Sequence, residues 1–158
     1  YPLPKMPTKR KFSPKARSEA RQRVLQALYQ WQLTGQDIQV IESQFLGEQE
    51  EVESPFLDEQ DLRNTDIPYF KRLLHGIPQQ INQLDTTFAP ALDRKITQLD
   101  PIELAILRIG CYELIFCPDI PFKVAINEAV ELAKQFGAEQ SHKYVNGILD
   151  KLAHNLQK

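Results

Sequence analysis

Only two cysteines occur in 158 residues. Cys111 and Cys117 lie six apart on one expected helix, which separates them by roughly 9 Å of axial rise. A disulfide cannot close over that span, so buried free thiols in a reducing cytosol are expected. The three histidines, His75, His142 and His154, are scattered without the spacing of a metal site. No apolar run is long enough to cross a bilayer, so no membrane association is expected. No signal-peptide pattern opens the chain. Credible strands, internal repeats and a glycine-rich phosphate loop are also missing. What these absences leave is one cytoplasmic domain with no cofactor expected. At 42% hydrophobic residues it can build a sizeable core.

What is present is helical periodicity. Ala20, Val24, Ala27, Leu28 and Trp31 recur at three- and four-residue steps and predict a helix over about residues 15–33, ended by Gly35. Asp37 can cap a second helix carrying Ile38, Ile41 and Phe45. Residues 47–63 lack a stripe and read as a loop. Thr65-Asp66-Ile67-Pro68 reads as a helix start. The helix after it should be kinked or split at Pro78, which removes a donor. Asp100-Pro101 starts a helix that is apolar nearly all round, and so central, to Phe116. Val124 to Phe136 is the next, with Gly137 as its expected C-terminal cap. Residues 136–152 supply the last helix. The prediction is an all-α fold of six to seven helices in two packed small bundles, about residues 15–92 and 93–158, after a basic and flexible segment 1–14.

Charge is split along the chain. Residues 1–23 hold eight bases against Glu19 alone, a net of +7, while the whole chain nets −2. Residues 48–61 hold seven acids and no base. A basic head on an acidic body suggests a polyanion held at one end, because Lys and Arg displace counterions from phosphates. A basic tail kept for solubility is the alternative.

Three places could carry function. The run Ser141-His142-Lys143-Tyr144 looks catalytic, but at about 100° per residue its first three side chains diverge. No acid is placed to orient the imidazole, so catalysis is not expected. Tyr144 lies on a flank with Gln140, Gly147 and Lys151, where a base could stack. Tyr29, with Arg17 and Arg21 on the same helix, offers charge beside an aromatic platform, as single-stranded RNA recognition requires. Trp31, Phe45 and Phe136 are expected in the core from periodicity. On the central helix, Glu103 and Glu113 either pair internally or meet a partner's base.

Three segments are more specific: ALYQWQ (27–32), LDPIELAILRIGCYEL (99–114) and IPFKVAINEAVELAKQFGAEQSHKYVNGILDKL (120–152). Together they resemble the NusB family of bacterial transcription antitermination factors, over about residues 15–152. The resemblance implies a non-enzymatic protein that pairs with NusE, also a small-subunit ribosomal protein. The pair would bind the boxA element of nascent RNA and help assemble the antitermination complex on RNA polymerase, notably in ribosomal RNA transcription. It assigns RNA contact to Arg17, Arg21, Tyr29, Phe136, Lys143 and Tyr144; Lys9, Arg10, Lys11, Lys15 and Arg23 of this chain could supply further charge. It assigns NusE contact to Glu103. Two departures stand out: Arg17-Ser18-Glu19 where the family often has an arginine cluster, and Gln140 where it commonly has an acid. Other readings are the NusB-like accessory domain of a ribosomal RNA methyltransferase, and a self-associating module such as a homodimer.

Overall fold

The computed structural model describes residues 13–47 and 64–157. The expectations for Lys9, Arg10, Lys11, the acidic segment 48–61 and most of segment 1–14 lie outside them.

The first helix, α1 (Pro14–Thr34), starts one residue earlier than its stripe suggests. Ser13 accepts a hydrogen bond from the Ala16 amide at 3.1 Å, and Pro14 lies at the helix start, where its missing donor costs nothing. Gly35 closes α1 in the left-handed region at φ 68°, a conformation that glycine adopts without a Cβ penalty. Asp37 caps α2 (Ile38–Leu46) through the Gln39 amide. Asp66 caps α3 (Ile67–Gln79) through the Tyr69 amide. Pro78 does split the next segment: α3 ends at Gln79 and α4 (Ile81–Phe88) begins two residues later. Two short 3-10 turns lead to α5 (Pro101–Phe116), capped by Asp100. Then follow α6 (Phe122–Phe136) and α7 (Ser141–Leu156). Seven α-helices and no strand are therefore present among the described residues.

Two small helical bundles pack together, with α5 against both. α1 packs on α2 and α3, α6 packs on α7, and α5 touches α1, α3, α4, α6 and α7. Its ten residues from Ala105 to Leu114 are all buried, as a helix apolar on every side should be. Gly110 permits the close approach of α7, since a Cβ there would lie 2.6 Å from a Leu149 methyl. The sequence offers no sign of the polar tie beside it. Arg108 grips Asp85 of α4 with two bonds of 3.0 and 2.8 Å and reaches Gln32 of α1 at 2.9 Å. One guanidinium thus fixes three helices in register.

Both cysteines are buried and free. Burial pushes the Cys111 thiol up to about 12 and the Cys117 thiol up to about 11, so neither is a thiolate at neutral pH. No described helix is long and apolar enough to cross a membrane.

Gly137 is the C-terminal cap of α6, its amide donating to the Ala133 carbonyl. Its φ and ψ are −86° and 171°, ordinary extended backbone. Space is the constraint: a Cβ would lie 2.7 Å from the Ala133 carbonyl and 3.0 Å from Ser141 Oγ. The left-handed residue is Gln140, at φ 74°.

Candidate nucleic-acid interface

Along α1, Arg21, Leu25, Tyr29 and Leu33 follow one another at four-residue steps, forming a second stripe beside the core stripe. Its two ends have opposite fates. Arg21 is only 2% exposed. Its Nε donates to both Glu113 oxygens at 3.1 and 3.0 Å, and Nη2 lies 2.9 Å from Oε2. The Tyr69 hydroxyl donates to the same carboxylate. Burial acts to lower the Arg21 pKa, but Glu113 outweighs it and the net shift is upward. Arg21 therefore stays charged inside the fold.

The expectation that Arg21 touches RNA is corrected by this placement. A guanidinium enclosed by α5 and already bonded cannot reach a phosphate without breaking the packing. Arg17 is less enclosed, at 35% side-chain exposure, but it is also engaged. It lies 3.5 Å from Asp66, 3.9 Å from Asp119 and 4.7 Å from the centre of the Tyr69 ring. Arg72 completes the cluster with two bonds to Asp119 at 3.1 and 2.8 Å. Twelve residues separate Arg17 from Tyr29, about 18 Å along the helix, so charge and aromatic are not side by side. Lys15, two residues before Arg17, is exposed.

At the other end of the stripe the surface opens. Tyr29, Leu33 and Phe136 are 36%, 57% and 37% exposed. With Leu25, Phe45 and Ile102 they line an apolar groove of about 390 Å³, within the roughly 300–1,000 Å³ of typical ligand sites. Phe136, the last residue of α6, is thus not a core residue. Trp31 is half-buried, and only Phe45 is fully enclosed.

Beyond Ile102 lies the start of α7. Glu103 is half-buried and accepts a 2.7 Å bond from Ser141 Oγ. Of the two acids on α5, Glu113 pairs fully inside. Glu103 pairs with α7 while still reaching the surface. Ser141 is thereby turned away from Lys143, which is exposed, so no catalytic grouping forms. Tyr144 is half-buried and packs against the core. Its hydroxyl donates to Asp93 at 2.8 Å, and the Arg94 guanidinium lies 4.8 Å from its ring centre. Hydrogen bonds from Arg94 and Tyr144 hold the Asp93 carboxyl down at about 2. Partial burial and the Asp93 charge push the Tyr144 phenol up. Neither Asp93 nor Arg94 was singled out from sequence. Both follow the long apolar segment by several residues and touch Tyr144 only through the fold. Gly147 faces open space, leaving that flank of α7 low.

Gln140 sits at the entrance to this helix in a conformation that costs an L-residue roughly 1–2 kcal/mol. Its side chain caps nothing. Gln140→Gly should therefore stabilise the fold by about 0.5–1 kcal/mol, read as a rise in urea midpoint at unchanged m-value. A fall would show that the side chain contributes a contact worth more than the strain.

A second, open groove of about 780 Å³ lies between the start of α6 and the end of α7, with Phe122, Asn127, Lys151 and His154 in its lining. Among the described residues no group of three His, Cys, Asp or Glu side chains could hold a metal ion.

Residues 18–154 match the model of the NusB family. The chain belongs to the NusB family. A NusB relative from Nitrosococcus oceani, a transcription antitermination protein by name, is 50% identical over 141 residues. That span covers 89% of this chain and 87% of the relative. The structure of NusB from T. maritima superposes with a TM-score of 0.71 at 31% identity, over 90% of this chain and 92% of that one. A NusB solved with NusE and double-stranded RNA superposes with a TM-score of 0.72 at 24% identity, over 90% and 99%. At that identity the likeness is one of fold. Of the NusB-specific segments read in the sequence, ALY on α1, PIE at the start of α5 and FGAE at the end of α6 each give the groove a residue, Tyr29, Ile102 and Phe136, and SHKY opens α7.

Proposed function

We propose that this chain is an RNA-binding antitermination factor that holds boxA RNA jointly with NusE and carries it to the transcription complex on RNA polymerase. The observation that carries this reading is the convergence of Tyr29 and Phe136 on one exposed groove, with Tyr144 and exposed Lys143 close along the same chain junction. Isolated aromatics of this exposure need no explanation. Two on one groove, from helices more than a hundred residues apart in sequence, make a surface for splayed bases. Exposed Lys15 and Lys143 supply phosphate contacts, joined by Lys9, Arg10 and Lys11. Glu103 presents its remaining acceptor capacity to NusE while held by Ser141. The solved NusB complex with NusE and RNA supports this pairing. The activity is binding and assembly, without catalysis, in the cytoplasm. Relatives that bear the antitermination name over most of their length favour this role over that of a methyltransferase accessory domain.

The test is binding of boxA RNA and of a scrambled RNA, with and without NusE, across a salt series. Preferential boxA binding, strengthened by NusE and weakened by salt, is expected. Equal affinity for both RNAs would contradict the proposal.

A further inference from the structure

Tyr144 cannot serve as a bare stacking platform. Tyr144 packs against the core, and the Arg94 guanidinium lies over its ring, 4.8 Å from the centre. That guanidinium is itself fixed. Nε and Nη2 donate to the two Asp93 oxygens at 2.8 and 3.2 Å, and Asp93 also accepts the Tyr144 hydroxyl. The three residues close a ring of contacts: carboxylate to guanidinium, guanidinium to aromatic face, phenol back to carboxylate. Yet the Arg94 side chain remains 45% exposed. It is held over the ring while nearly half of its side chain meets solvent.

We propose that Arg94, layered on Tyr144 and locked by Asp93, is the surface on which an unpaired RNA base stacks at this end of the site. This rests on the functional reading above and deepens it by naming the group the nucleotide meets. Guanidinium planes stack on bases as aromatic rings do, and a cation already seated on an aromatic face keeps its plane parallel to that face at little entropic cost. A layered guanidinium offers a base both a flat surface and a positive charge. Glu103, which follows the groove residue Ile102 and is bonded to the first residue of α7, lies close enough for its charge to act on Arg94. One strand could thus pass from the groove to the Arg94 layer.

Three chains are compared by fluorescence anisotropy on boxA RNA, each with NusE, across a salt series: the unaltered protein, Arg94→Lys and Arg94→Ala. Thermal melts check that each is folded, which exposed Arg94 makes straightforward. Arg94→Lys keeps the charge and loses the plane. It should weaken binding about ten-fold with the salt slope unchanged. Arg94→Ala should lose at least as much and also flatten the slope by about 0.7, one phosphate's worth on a single strand. Full affinity in Arg94→Lys would overturn stacking in favour of simple charge. Unchanged or tighter binding by Arg94→Ala would overturn the proposal alone, by showing that Arg94 is a bystander or a cover over Tyr144. No boxA preference in the unaltered protein would overturn the functional reading as well.

Discussion

Glu113→Ala should lower the unfolding free energy by about 3–5 kcal/mol, the usual cost of leaving a buried charge without its partner. Arg21 is 2% exposed and Glu113 is fully enclosed. Removing the carboxylate leaves the buried guanidinium with only the looser pairing to Glu128, 3.6 Å from Nη1, and orphans the Tyr69 hydroxyl as well. Urea titration at constant pH measures the loss. The double variant Arg21→Met, Glu113→Leu should recover most of it, because a packed apolar pair replaces an ion pair at little net cost. A single-variant loss below about 1 kcal/mol would show that water reaches Arg21 and that α1 is not anchored to α5 in this way. The same experiment bears on RNA. If Arg21 is purely structural, the folded double variant keeps its affinity for boxA.

Tyr29→Ala and Phe136→Ala should each weaken boxA binding by about 1–3 kcal/mol, the range for an aromatic that stacks a base. Both rings are more than a third exposed, so their truncation should change stability far less than a core deletion, which costs roughly 3–5 kcal/mol. That difference separates a binding role from a packing role. Because the two rings share one groove, their effects should not add. Isothermal titration on each single variant and the double, with NusE present, measures the coupling. Strictly additive losses would place the rings in separate sites.

The course of the helices was legible because each carries its own punctuation. Asp37, Asp66 and Asp100 cap, Pro78 splits, and Gly35 ends. Those signals are local, and the structure keeps them. Gly137 caps α6 as its place after the last periodic residue suggests, but in extended backbone. Here its role is to let Ser141 come close, and the strained position falls on Gln140. The site was legible only in part. The angle of Tyr29 from the core stripe leaves it either exposed or packed on a neighbouring helix, and the structure exposes it. Phe136 is expected in the core from periodicity, which does not show that the last residue of α6 is exposed. Arg21 looked like a phosphate ligand since a cation near an aromatic is ambiguous until its burial is known. Its partner Glu113 lies 92 residues away. Asp93 and Arg94 were invisible for a similar reason: what matters is their contact with Tyr144, some fifty residues on.

The central claim is that the Tyr29–Phe136 groove and the start of α7 are where boxA RNA lies. Amide chemical-shift mapping tests it directly, with isotope-labelled chain bound to unlabelled NusE and titrated with boxA RNA. Perturbations should concentrate at Tyr29, Leu33, Arg94, Phe136, Lys143 and Tyr144, with Arg21 and its buried neighbours little affected. Perturbations centred instead on Phe122, Asn127 and Lys151, with Tyr29 and Phe136 unmoved, would place the RNA in the other groove and contradict the account.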